Sequence, residues 1–130
     1  MKKHTTRHRV TYKETDQMGV VYYANYLVWF EIARTEYFRE KGLVYKTLED
    51  ERRIYLPVAE AGCRYKAPSR YDDIVSISTW ISEKGSSRMT FSYEVDVSGK
   101  VIATGFTKHA FINSSGKPIP IPDDIRYILE

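Results

Sequence analysis

The spacing of apolar residues changes twice along the chain. From Arg7 to Lys13, Val10 and Tyr12 alternate with polar neighbours, which predicts a short strand. Glu14 to Gly19 is a polar stretch closed by glycine, and predicts a loop. From about Ala24 the period becomes helical. Tyr26, Phe30, Ala33 and Tyr37 share one stripe, and Leu27 and Phe38 widen it. Glu31, Arg34, Glu36, Arg39 and Glu40 are placed largely on the other faces. Gly42 is expected as the residue just past the helix end, with Arg39 and Lys41 in the last turn.

Leu43 to Arg52 reads as a short helix or an irregular connector, and beyond it the period is two. A strand is expected over Ile54–Lys66, with Pro57 demanding a sheet edge or a bulge near its start. Pro68 to Asp73 is a turn region. Val75, Ile77, Thr79 and Ile81 alternate with polar or amphipathic partners, and Met89, Phe91, Tyr93, Val95 and Val97 do the same. Lys84–Ser87 and Ser98–Gly99 are the turns, the second of hairpin type. A last strand covers about Val101–Ile112. Three prolines (118, 120 and 122) then break the ladder, and Asp123 is expected to cap a short final helix. One strand, one long helix and four strands make an α+β chain. The helix has one stripe to bury and the antiparallel sheet one face to bury it against, so the sheet should wrap the helix.

Length fits one domain over residues 1–130. A chain of this size buries roughly two-thirds of its unfolded surface without staples. Aromatic residues make up 14%, an ordered rather than a disordered composition. Twenty basic against seventeen acidic side chains leave +3, too mild an excess to argue for nucleic acid. The basic start, Met1 to Arg9, leads into no apolar run and is read as a solvated beginning, not a signal peptide. No stretch approaches the roughly 18 apolar residues of a membrane span. A single cysteine, Cys63, excludes an internal disulfide and points to the cytoplasm. His4, His8 and His109 lack zinc-ligand spacing with it, so no metal is expected.

The densest chemical signal is the loop before the helix, Glu14-Thr15-Asp16-Gln17-Met18-Gly19-Val20-Val21-Tyr22-Tyr23-Ala24-Asn25-Tyr26. A helix start offers unpaired N–H groups and partial positive charge, suited to a carbonyl oxygen gaining negative charge. Asp16 lies just ahead of it. A carboxylate and an oxyanion donor are the minimum set for acyl transfer, although an Asp here is also a common cap or loop residue.

Asp16-x-x-Gly19-Val20-Val21-Tyr22-Tyr23-x-Asn25-Tyr26, followed by Phe30-Glu31-x-Ala33-Arg34-Thr35-Glu36, resembles the 4-hydroxybenzoyl-CoA thioesterase family of the hotdog fold. That family includes the acyl-CoA thioesterases associated with the Tol-Pal system. Tyr65-Lys66-Ala67-Pro68-x-x-Tyr71-Asp72-Asp73 is similar to its second signature. The resemblance implies an antiparallel sheet around one long helix and hydrolysis of an acyl-CoA to a carboxylic acid and coenzyme A. It implies Asp16 as nucleophile or general base, and a backbone N–H at Tyr23 that polarises the carbonyl. Gly19 matches the glycine that lets the loop turn near the substrate, and Asn25 and Tyr26 match positions that shape the helix start. Many Tol-Pal-type members carry His where this chain has Tyr23, whereas the hydroxybenzoyl branch carries Tyr. Because Tyr titrates near 10, the backbone role is favoured.

Coenzyme A carries phosphates, so cations are expected at the mouth of the site: Lys66, Arg70 and Arg88, with Arg64 a lesser choice. The resemblance further implies a homodimer or homotetramer, with Asp16 facing the partner subunit near Pro57 and Val58. No cofactor beyond the substrate's own coenzyme A is required, and an acyl carrier protein is an alternative carrier. Glu31, Arg34 and Glu36 are read as surface or subunit pairs, Glu60 as solvent-facing, His109 as structural or surface, and Cys63 as core. The rival functions are a hotdog hydratase or dehydratase, which would pair the aspartate with a histidine, a non-catalytic acyl-CoA or acyl-carrier binder, and a generic interaction domain.

Overall fold

A computed structural model describes residues 2–129. The strands are β1 (His4–Arg9), β2 (Val58–Tyr65), β3 (Ile74–Lys84), β4 (Arg88–Val97) and β5 (Lys100–Ala110). The helices are α1 (Asn25–Glu40), α2 (Tyr45–Asp50) and α3 (Asp123–Ile128), and Tyr12–Glu14 is a single 3-10 turn. All strand pairs are antiparallel, in the order β1-β3-β4-β5-β2. The sheet wraps α1.

Alternation works as the residue pattern requires. Val75, Ile77, Thr79, Met89, Phe91, Tyr93 and Val95 all point inward and are buried. They meet Tyr26, Trp29, Phe30, Ala33, Tyr37 and Phe38 of α1. Phe30 stacks on Tyr93 with centroids 4.2 Å apart, and Tyr37 and Phe38 meet Phe91 edge-on. The β4–β5 hairpin turns at Ser98 (φ 53°) and Gly99 (φ 84°), and the helix ends at Gly42 (φ 84°).

Several expectations are corrected. The first strand lies earlier than Arg7–Lys13: His4–Arg9 pair with Ile74–Thr79, so most of the basic start is sheet rather than solvated chain. Met1 lies outside the described residues. Tyr12 and Lys13 curl into the 3-10 turn because Thr11 and Glu14 form a capping box. β2 begins only after Pro57, which has no N–H to give the ladder, and its register shifts between Val58 and Glu60. Leu27 is exposed, whereas Trp29 is fully buried. Arg34 is not a surface residue. It is buried and donates from Nη1 to the Tyr93 hydroxyl at 3.1 Å. Cys63 is only half buried, at the edge of the core. Asp123 is the first residue of α3 rather than its cap, a place taken by Pro122. Among the described residues no helix is long and apolar enough to cross a membrane.

Candidate functional site

The loop between the 3-10 turn and α1 is closed on itself. The Asp16 amide donates to the Val20 carbonyl at 2.8 Å, and Thr15 bridges Val21. Gly19 makes the reversal at φ +80°, where a side chain would be strained, and its amide donates to the Asp16 carbonyl at 3.0 Å. Asp16 Oδ1 accepts the Met18 amide at 2.8 Å. Oδ2 has no protein donor among the described residues, and the side chain is exposed.

The second motif anchors this loop. The Val21 amide donates to the Ser69 carbonyl at 2.8 Å, Val20 bridges Arg70, and the Tyr26 and Ser69 hydroxyls are 2.8 Å apart. At the entrance of α1 most groups are engaged. The Tyr22 amide donates to the Glu14 carbonyl at 2.9 Å, and the Tyr22 carbonyl accepts the Asn25 amide at 3.0 Å. The Tyr65 hydroxyl donates to the Tyr23 carbonyl at 2.9 Å. The amides of Tyr23 and Ala24 find no protein acceptor among the described residues. Two free N–H donors thus stand at the positive end of a 16-residue helix.

Asp16, Val20, Val21, Tyr23, Tyr26, Tyr65, Lys66, Ala67 and Pro68 line one cleft of about 400 Å³. Its chemistry is a carboxylate with a free oxygen, backbone donors, aromatic walls and one lysine at the rim. Burial, then the neighbouring Cys63 thiol, push the Tyr65 hydroxyl above tyrosine's ordinary range. It therefore stays protonated and keeps donating. A larger hollow of about 640 Å³ lies along β2, β4 and β5 and shares Lys66, but it contains neither Asp16 nor the helix entrance.

The sequence candidates fall into three places. Asp16, Gly19, Tyr23 and Asn25 belong to the loop and helix entrance, where Asn25 Nδ2 donates to the Glu14 carbonyl at 2.9 Å. Lys66 lines the same cleft, and Arg70 adjoins it through its backbone bridge to Val20. Val58 lines a separate cleft of about 350 Å³ with Leu27, Val28, Glu31, Arg34, Ala61 and Thr107. Arg88 is at the opposite end of the sheet, paired with Ala110 and beside Glu83 and Gly85. Within one chain it does not join Asp16. Sequence reasoning assigned no role to Tyr65 or Glu14, although both lie in the quoted motifs. Among the described residues no three of His, Cys, Asp and Glu gather as a metal site.

Comparison with known proteins places this geometry in a family. The acyl-CoA thioesterase YbgC of Haemophilus influenzae is 30% identical over 119 residues, spanning 91% of this chain and 88% of that protein. The crystal structure of AQ1494 from Aquifex aeolicus superimposes with a TM-score of 0.94 at 34% identity, covering 98% and 99% of the two chains. BH1999, a gentisyl-coenzyme A thioesterase, does so at 0.89 with 32% identity over 95% and 99%. The sequence profile of the thioesterase-like superfamily matches residues 10–129, and the chain belongs to that superfamily.

Proposed function

We propose that the protein is an acyl-CoA thioesterase, releasing a carboxylic acid and free coenzyme A. The observation that carries this is the free Asp16 carboxylate oxygen in one cleft with Tyr23, whose helix-entry amide is unpaired among the described residues. The thioester carbonyl oxygen points at the Tyr23 N–H, where negative charge developing on it is stabilised. Asp16 either attacks the carbonyl carbon and expels the thiolate, leaving a mixed anhydride that water cleaves, or removes a proton from the attacking water. No metal or prosthetic group is needed in either route. Lys66 at the rim, with Arg64 and Arg70 near it, provides cations for the nucleotide phosphates. Arg88 takes this role only if an assembly brings it to another subunit's site.

The site is completed by a second copy. β2 is an open sheet edge, and its inward side chains Val58 and Tyr65 remain exposed beside exposed Tyr23 ahead of the helix and Leu27 and Val28 of α1. An edge and an apolar strip together favour pairing about a two-fold axis. Antiparallel pairing about the middle of β2 brings Val58 of the partner subunit next to Tyr65, and so next to the Asp16 cleft. We therefore propose a homodimer, or a homotetramer built from two such dimers, as the active assembly, working in the cytoplasm where the lone Cys63 stays reduced. The acyl group is aromatic or a short to medium aliphatic chain, delivered by coenzyme A or by an acyl carrier protein.

The test is release of free thiol from a panel spanning acetyl- to palmitoyl-CoA, with benzoyl-, hydroxybenzoyl- and phenylacetyl-CoA and an acyl-carrier-protein thioester. Asp16→Ala should lower kcat by at least about 10³-fold, with the folded assembly retained. Near-native turnover in that variant would overturn the assignment. Ligand binding without turnover by the native protein would support the non-catalytic reading.

A further inference from the structure

Glu14 has more partners than any other side chain around the cleft, and no catalytic step uses it. Its carboxylate is mostly buried (16% exposed) and accepts from three segments. His8 Nε2 of β1 approaches Oε1 at 2.9 Å and Oε2 at 3.0 Å. The Thr11 amide and hydroxyl reach Oε1 at 2.8 and 3.1 Å. The Trp29 indole Nε1 of α1 donates to Oε2 at 2.8 Å. An ionised carboxylate offers about four acceptor sites, and these donors use that capacity. The main chain of the same residue is equally engaged, its carbonyl accepting the Tyr22 amide and Asn25 Nδ2, both at 2.9 Å.

We propose that Glu14 is the positioning residue that holds Asp16 and the Tyr23 amide in fixed relation, through its bonds to His8, Thr11, Trp29, Tyr22 and Asn25. The reasoning is geometric. Asp16 follows Glu14 by two residues, so the carboxylate anchor sets where the loop departs. The bond to the Tyr22 amide sets where the loop returns. The next peptide has its carbonyl held by the Asn25 amide, which aims its N–H, that of Tyr23, the opposite way. Burial alone would raise the Glu14 carboxyl. The bonds from Thr11, His8 and Trp29, and the nearby His8 charge, outweigh it and hold the group below the ordinary carboxylate range. Glu14 is thus held as a charged, full acceptor for these donors.

This inference rests on the thioesterase reading, and the experiment separates the two. Glu14→Gln puts an N–H₂ where one of the donors now binds, so the loop shifts while the cleft walls stay. A displacement near 1 Å costs on the order of 10²-fold in rate. We expect kcat to fall about 10- to 100-fold with KM within about twofold, because ground-state binding by the walls and cations is kept. Amide exchange at Tyr22 should quicken by about tenfold in the same variant. Unchanged kcat and unchanged Tyr22 exchange in folded Glu14→Gln overturn the proposal. If Glu14→Gln does not fold, Trp29→Phe decides. It removes one donor and should lower kcat by about three- to tenfold, and no loss overturns the proposal. If the native protein hydrolyses none of the panel, the thioesterase reading fails, and the Tyr22 exchange still reports whether Glu14 orders the loop.

Discussion

At the scale of single residues, the buried polar chain behind α1 shows how two ends dictate the middle. Arg34 can only donate and the Leu56 carbonyl can only accept. Arg34 gives to the Tyr93 hydroxyl, which is 2.6 Å from Thr107 Oγ1. Thr107 Oγ1 is 2.8 Å from His109 Nε2, and His109 Nδ1 is 2.9 Å from the Leu56 carbonyl. Protons must run in that one direction, so His109 is the neutral Nδ1–H tautomer. Burial first, and the Arg34 charge second, lower its pKa to about 4. The unfolded chain binds this proton more readily than the folded one. The contribution of neutral His109 is therefore complete above about pH 6.5 and is lost as pH falls toward 4. We expect an acid loss on the order of 3 kcal/mol across that window, seen as a falling Tm. His109→Gln should flatten the slope of Tm against pH there. An unchanged slope would place the acid sensitivity elsewhere.

At the scale of elements, the helix approaches the sheet where β5 has no side chain. A Cβ on Gly105 would lie 2.5 Å from the Phe30 ring and 2.6 Å from the Gly62 carbonyl oxygen. Neither can yield, since the ring is stacked on Tyr93 and the oxygen is backbone. Gly105→Ala should cost about 1–3 kcal/mol or more in urea unfolding. A Cβ on Gly62 would meet only the Phe106 ring, 2.5 Å away on the outer face, where the ring is partly exposed and can swing aside. Gly62→Ala should therefore cost less than Gly105→Ala. The reverse order would show that α1 does not pack against β5 as described.

At the scale of the whole molecule, the monomer leaves Leu27 and Val28 about half exposed, next to the open edge of β2. Charge at either position should be tolerated by the isolated fold but not by a dimer. Val28→Glu is expected to shift sedimentation from dimer to monomer and to lower thiol release by at least about tenfold, the size of effect seen for central interface residues. A fully active monomer would mean that one chain holds the complete site.

Much of this protein is legible in its sequence because the signals are local. The helical stripe over Tyr26–Phe38, the alternation in β3 and β4, the Ser98–Gly99 hairpin and the stop at Gly42 need only side-chain period and backbone sterics. The loop from Asp16 to Asn25 is readable in the same way, since a carboxylate beside a helix start is a near-neighbour arrangement. The boundaries of β1 and β2 depart from the apolar pattern because the capping box at Thr11 and the missing N–H of Pro57 override it. Only the tertiary structure decided the strand order, which puts β2 at the edge and takes Arg88 to the end of the sheet away from Lys66. It also decided that Arg34 is buried against Tyr93, 59 residues away, and that Tyr65 supports Tyr23, 42 residues away. The physical reason is the same in each case. A residue's own period fixes which element it joins, but its partner is set by chain segments that meet only once the sheet has closed around the helix.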